Sequence, residues 1–255
     1  NEISFANFYK YLLNNYCYFI IFLLKYNHKK IEGGIKMNLK MPYGISNYEK
    51  IIKDGYYYVD KTMYIEKLEN LPETSIIFLR PRKFGKTLFT SVIENYYDKN
   101  KESEFETLYK NTYIGKNPSK LKNSYCILRF NFSGIDTSTS EATINGFKNE
   151  VASSIEVFIN KYGLDFYVDK NDDAENILNN LFKAFYIQKS TEKIYVIIDE
   201  YDHFANELLG FNPEQFRSLV SKNGKVRKWY EILKKGTETI VDRIFITGVA
   251  PIILD

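Results

Sequence analysis

The chain has 255 residues, 44% hydrophobic and 26% charged, which is enough for one well-buried domain and too short for two large ones. Its net charge of +3 names no partner by electrostatics alone, and the abundant lysine, asparagine, isoleucine and tyrosine suggest an AT-rich coding sequence. Two cysteines (Cys17, Cys126) and two distant histidines (His28, His203) exclude a disulfide framework and a zinc site of the usual ligand spacing; the expected location is cytoplasmic.

Residues 1–36 stand apart from the rest. Tyr16–Leu24 is an unbroken apolar run, but a membrane-spanning helix needs roughly 20 residues. A signal peptide's basic n-region and small-residue cleavage site are also missing. Glu32-Gly33-Gly34 can be encoded by a purine-rich stretch resembling a ribosome-binding site just upstream of Met37. The expectation is a start at Met37, with residues 1–36 a non-native upstream extension or a disordered segment, and residues 37–255 a single α/β domain with no membrane contact.

Further along, Asp60 precedes a helical pattern running towards Leu68 and is read as its N-cap. The stretch Ser75–Thr90, SIIFLRPRKFGKTLFT, is the most informative. An apolar strand-like run, Ile76–Leu79, feeds a basic loop, and Leu88, Val92 and Tyr96 then follow at helical spacing. Strand, loop and Gly85-Lys86-Thr87 at a helix start is the layout of a phosphate-binding P-loop, the Walker A element. The chemistry fits the residue types. Backbone N–H groups and the helix dipole favour an anion, Lys86 can reach the β- and γ-phosphates, and the Thr87 hydroxyl can ligate Mg²⁺. One position departs from the pattern G-x-x-x-x-G-K-[ST]: Arg80 stands at the first glycine. Arg80 and Arg82 can meet phosphate, act as arginine fingers, or pair with acidic groups such as Glu200 or Asp202.

Tyr125–Phe132 (YCILRFNF) reads as a strand, and Ile144, Phe147, Val151, Ile155, Phe158 and Tyr162 form the stripe of an amphipathic helix. Asp172 with Glu175 resembles a capping box opening a helix that carries Ile177, Leu178, Leu181 and Phe185. Lys193–Asp202, KIYVIIDEYD, is an apolar β-branched run ending in Asp199-Glu200, the Walker B pattern of a strand buried on both faces. Asp199 would hold Mg²⁺ and Glu200 would activate water. Asp202 is read as a cap for a helix containing Phe204 and Leu208. Lys222, Lys225, Arg227, Lys228, Lys234 and Lys235 surround Trp229 and Tyr230; such a cluster is either a solvated helix face or a nucleic-acid contact. Arg243–Gly248 is a third buried-strand run, ending in Thr247 before a glycine.

RPRKFGKT, IIDEYD and ITGV in this order, with Pro42-Tyr43-Gly44-Ile45-Ser46 and Tyr57–Thr62 upstream, resemble the AAA-ATPase-like family of bacterial and archaeal proteins. Arginine at the position of Arg80 is a family trait, and Lys83 stands where arginine is usual. The resemblance implies a P-loop NTPase three-layer sandwich with a mostly parallel sheet, binding ATP and Mg²⁺. It assigns Arg80, Pro81, Arg82, Lys83, Phe84, Gly85, Lys86 and Thr87 to the nucleotide, Thr87 and Asp199 to the metal, Glu200 to the general base and Thr247 to a γ-phosphate sensor. Members usually continue into a nuclease-like domain of the PD-(D/E)XK type, with a further strand and helix after the sensor, so the domain is expected to be C-terminally incomplete. Two activities follow as expectations: Mg²⁺-dependent ATP hydrolysis, or a nucleotide-gated switch with little hydrolysis that controls an attached nuclease-like domain or a partner.

Overall fold

The computed structural model describes residues 40–220 and 224–251. The proposed upstream extension, with Tyr16–Leu24, Cys17 and His28, and the expected start at Met37 lie outside the described residues, as does Lys222.

Four strands make one all-parallel sheet: β1 (Ser75–Leu79), β2 (Tyr125–Asn131), β3 (Lys193–Asp199) and β4 (Val241–Gly248), in the spatial order β1-β4-β3-β2. Each strand expected from its apolar run is present. The side-chain alternation of a strand divides these residues between two buried faces. Tyr125 and Ile127, Tyr195 and Ile197, and Phe245 face one side. Cys126, Leu128 and Phe130, Ile194, Val196 and Ile198, and Ile244 and Ile246 face the other. Strand β3 is buried along its whole length after Lys193. By contrast, among the described residues β1 pairs only with β4 and stays partly open, with Ile77 56% exposed.

The first face is covered by α3 (Lys86–Tyr97), flanked by α1 (Tyr48–Lys53), α2 (Met63–Glu69), α4 (Phe105–Tyr109) and the one-turn helix α5 (Tyr113–Lys116). A 3₁₀ segment, Lys99–Glu104, joins α3 to α4. Helix α1 is fastened to α3 by the Tyr48 amide, which donates to the Ser91 hydroxyl at 3.0 Å, and to α4 by the Tyr48 hydroxyl, which donates to the Leu108 carbonyl at 2.7 Å. The second face carries α6 (Ser140–Tyr162), α7 (Ala174–Gln188), α8 (His203–Phe211), α9 (Pro213–Val220) and α10 (Lys225–Gly236).

Helix α6 shows why sequence pattern and structure agree. Thr139 caps its start by accepting from the Ala142 amide at 3.0 Å, and Gly163, at φ +63°, ends it in the left-handed conformation that glycine adopts most readily. Phe147, Val151, Ile155, Phe158 and Tyr162 are buried along its inner stripe. For α7 the expected core residues Ile177, Leu178, Leu181 and Phe185 are buried, but the capping box is not formed. The N-cap is Asp173, one residue later. The Asp172 side chain instead accepts from the Asn176 amide group, and Glu175 lies 3.5 Å from Lys225.

Helices after β1 lie on one face and helices after β3 on the other. The carboxyl ends of these strands therefore open a crevice between diverging connections, where open α/β sheets bind ligands.

Candidate functional site

The crevice has two halves. The first is the loop leaving β1. Its start is pinned to β4 by the Arg80 amide, which donates to the Gly248 carbonyl at 3.1 Å. The loop then turns through two left-handed residues, Lys83 at φ +67° and Gly85 at φ +78°, directly into α3. The amides of Gly85, Lys86 and Thr87 donate to no backbone carbonyl among the described residues, as expected of donors in a first helical turn. Lys86 is buried, and its ammonium donates back to the carbonyls of Arg80 at 2.9 Å and Pro81 at 3.2 Å. The loop residues Arg80–Gly85 are exposed. A cationic side chain is thus stored inside an exposed loop on weak neutral acceptors, a hold that an anion would outcompete.

The second half is built by β3 and β4. In-register parallel pairing sets Ile198 beside Ile246, so the next residues out, Asp199 and Thr247, meet at the sheet's edge. Both are 0% exposed, and the Thr247 hydroxyl donates to Asp199 Oδ1 at 2.5 Å. The other oxygen, Oδ2, faces the Arg129 guanidinium at 3.3 Å. Glu200 then leaves the strand at φ +52°, an uncommon left-handed conformation for a non-glycine residue. The turn is held by the Tyr201 amide donating to the Thr247 carbonyl at 3.0 Å. The half-buried Glu200 carboxylate makes no hydrogen bond or ion pair among the described residues.

Asp202 does something other than the expected capping. It occupies the N-cap position of α8 but makes no side-chain cap hydrogen bond. Its Oδ2 accepts instead from the amides of Val249 at 2.8 Å and Ala250 at 2.7 Å, and from the Asn206 side chain at 2.7 Å. The Tyr201 hydroxyl adds a bond to the Ala250 carbonyl at 2.9 Å. Gly248 is required here because a Cβ would fall 2.5 Å from Asp202 Oδ1 and from the Tyr201 ring. Tyr201 and Asp202 therefore clamp the chain leaving β4.

Other sequence readings change with the fold. Arg80 pairs with neither Glu200 nor Asp202. Its guanidinium lies over the Phe78 ring, 4.8 Å from the centroid, and donates to the Leu79 carbonyl at 2.8 Å. Asp60 does not cap α2, whose N-cap is Thr62. It accepts from the Thr62 amide at 2.8 Å and from the Tyr113 amide at 2.6 Å, while the Thr62 hydroxyl accepts from Ile114 at 3.1 Å. Asp60-Lys61-Thr62 is thus a staple joining the starts of α2 and α5. In the basic cluster, Trp229 is fully buried in the core, Lys225 lies against Asp173 and Glu175, and Arg227 against Glu231. That helix offers no exposed tryptophan for stacking on bases.

Sequence reasoning missed Arg129 and its neighbours. Arg129 NH1 donates to Glu94 on α3 at 2.8 Å, and NH2 reaches Thr90 Oγ1 at 3.4 Å as well as Asp199. The Thr90 hydroxyl in turn donates to the Thr87 carbonyl at 2.8 Å, so this contact ties Asp199 to the first turn of α3. A lone cation inside the apolar run YCILRFNF was the available signal, because a charge on a buried strand needs a counter-charge nearby.

An all-parallel open sheet layered between helices, with a lysine-bearing loop after β1 and a buried aspartate at the end of β3, one strand apart across β4, defines a P-loop NTPase-like sandwich. A family model described as predicted AAA-ATPase matches residues 42–255, and the chain belongs to that AAA-ATPase-like family, which points to nucleotide binding in general terms. No curated protein and no solved structure matches the chain. Among the described residues no helix is long and apolar enough to cross a membrane.

Proposed function

We propose that this protein is a cytoplasmic, Mg²⁺-dependent ATPase that cleaves the β–γ bond by in-line attack of water. The observation that carries this reading is the adjacency at three strand ends: the Arg80–Gly85 loop is pinned to β4, and Thr247 on β4 is bonded to the buried Asp199 on β3. In this assignment Lys86 leaves the loop carbonyls for the terminal phosphates, and the amides of Gly85, Lys86 and Thr87 bind the phosphate oxygens. Glu200 orients water and takes its proton, and Thr247 reports on the γ-phosphate through its bond to Asp199.

The donor chemistry fits Mg²⁺. Asp199 is a buried carboxylate already matched to a cation, next to the turn that bears the Thr87 hydroxyl. No group of three or more His, Cys, Asp or Glu residues forms a complete metal site among the described residues. A sparse oxygen set of this kind suits an ion that keeps several waters and takes its other ligands from substrate phosphates. Thr87 and Asp199 would hold it, and it would supply charge neutralisation at the phosphates.

A second reading, a nucleotide-gated switch with little hydrolysis acting on a nuclease-like domain or partner, draws support from one feature. Lys86 and Asp199 are both satisfied within the protein, by loop carbonyls and by Arg129. Nucleotide binding and steady-state turnover, measured together on the full-length protein, separate the two. Phosphate release that needs Mg²⁺ and Glu200 supports the ATPase; tight Mg²⁺–ATP binding with background turnover replaces it with the switch.

A further inference from the structure

A fully buried carboxylate is stable only with a compensating partner, and for Asp199 that partner is Arg129. The guanidinium is shared unequally. It lies 2.8 Å from Glu94 and 3.3 Å from Asp199, so the closer contact points away from the proposed metal position. Glu94 also lies 3.7 Å from Lys161, which is 2.7 Å from the buried Asp98. Carboxylates and cations therefore alternate along α3: Asp199, Arg129, Glu94, Lys161, Asp98. Arg129 also has room to move. Its side chain is 28% exposed and borders a cavity of about 280 Å³ whose lining includes Ser91, Glu94, Asn95, Asp98 and Lys161.

We propose that Arg129 is a displaceable counter-cation. It neutralises Asp199 while no metal is bound and withdraws onto Glu94 when a divalent ion takes the carboxylate. A guanidinium and a divalent cation on one aspartate repel each other, and Glu94 supplies the second seat that makes withdrawal cheap. Arg129 is thus a positioning residue that sets how much Mg²⁺ the site needs, and Glu94 opposes it from the other side. The inference depends on reading Asp199 as the metal ligand.

The test is the affinity of a fluorescent, non-hydrolysable ATP analogue for the full chain across a Mg²⁺ titration. Arg129→Met should lower the Mg²⁺ concentration that gives half-maximal affinity by about tenfold, within the usual range of coupling between sites. Glu94→Gln should raise it several-fold, because the guanidinium loses its alternative seat and stays on Asp199. Arg129→Lys should fall between wild type and Arg129→Met. A merely structural ion pair predicts lower thermal stability in Arg129→Met and Glu94→Gln alike with an unmoved Mg²⁺ dependence; that result, or shifts of the same sign in these two variants, overturns the proposal. If Arg129→Met does not fold, Glu94→Gln decides alone, and an unchanged or lower Mg²⁺ requirement rejects it. A wild-type protein whose nucleotide binding ignores Mg²⁺ overturns the metal assignment itself and this inference with it. Normal Mg²⁺-dependent binding with unresponsive variants overturns only the role of Arg129.

Discussion

The two halves of the crevice are built to different standards. The β3–β4 half is buried and cross-linked: Thr247 to Asp199, Asp199 to Arg129, and Asp202 to two backbone amides beyond β4. The β1 half is an edge strand followed by an exposed loop, with its one buried lysine bonded to the loop's own carbonyls. Buried, fully satisfied polar networks rigidify a site, whereas an exposed loop on neutral acceptors can rearrange at little cost. The difference teaches a division of labour. On the proposed function, the β3–β4 half would fix where chemistry happens and the β1 half would close around the ligand.

The largest expected effect tests the adaptable half. Lys86→Ala should abolish ATP binding or weaken it severely in a titration of folded protein, because the loop would lose the cation stored for the phosphates. Unchanged affinity would mean that Lys86 only braces the loop.

Glu200→Gln tests the fixed half. Turnover should fall by about 10²–10⁴-fold with Mg²⁺–ATP affinity kept, as expected when a general base is removed but the metal ligands remain. Equal turnover would exclude Glu200 as the base. Asp202 would not replace it, since its Oδ2 already accepts three hydrogen bonds in a buried setting.

Asp202→Ala probes the clamp itself. Leaving those partly buried donors without their acceptor should destabilise the fold by about 1–2 kcal/mol and speed hydrogen exchange at Val249 and Ala250. Exchange that stays slow at both amides would show that the clamp contributes nothing.

Arg80→Gly should cost less. The Arg80 carbonyl that accepts from Lys86 survives the change, and the contact with Phe78 is an exposed one worth about 0.5–1 kcal/mol. A few-fold loss of nucleotide affinity is expected, and a gain would show that the arginine hinders the loop.

The smallest effect lies outside both halves and gives their background. Lys101 and Lys53 hold Glu104 down to about 2 from the ordinary value of 4.5, and Lys101 and then Lys53 likewise lower Glu49. A depressed carboxylate stabilises the fold above its unfolded pKa, and the contribution is lost as pH falls from about 4.5 to about 2. The thermal midpoint should drop modestly across that window, and less in high salt because the groups are partly exposed. A midpoint that ignores Lys101→Met below pH 4.5 and above it would remove the effect.

Sequence alone determined the four strands, the amphipathic stripes of α3, α6 and α7 and the loop–helix junction at Gly85-Lys86-Thr87. Each is written in local periodicity or in a residue type that a turn demands, so a short window of residues is enough to read it. What only the tertiary structure decided are the partners. The cap positions at Asp60, Asp172 and Asp202 looked alike in sequence, yet Asp60 staples two helices, Asp172 holds an asparagine and Asp202 grips the exit of β4. Arg129 sits 70 residues from Asp199 in sequence, and Asp199 lies 48 from Thr247. Their meeting depends on the strand order β1-β4-β3-β2, which places the last strand between the first and third. No local pattern encodes that order. It follows from which apolar faces pack together, and the positions of buried charges follow from it in turn.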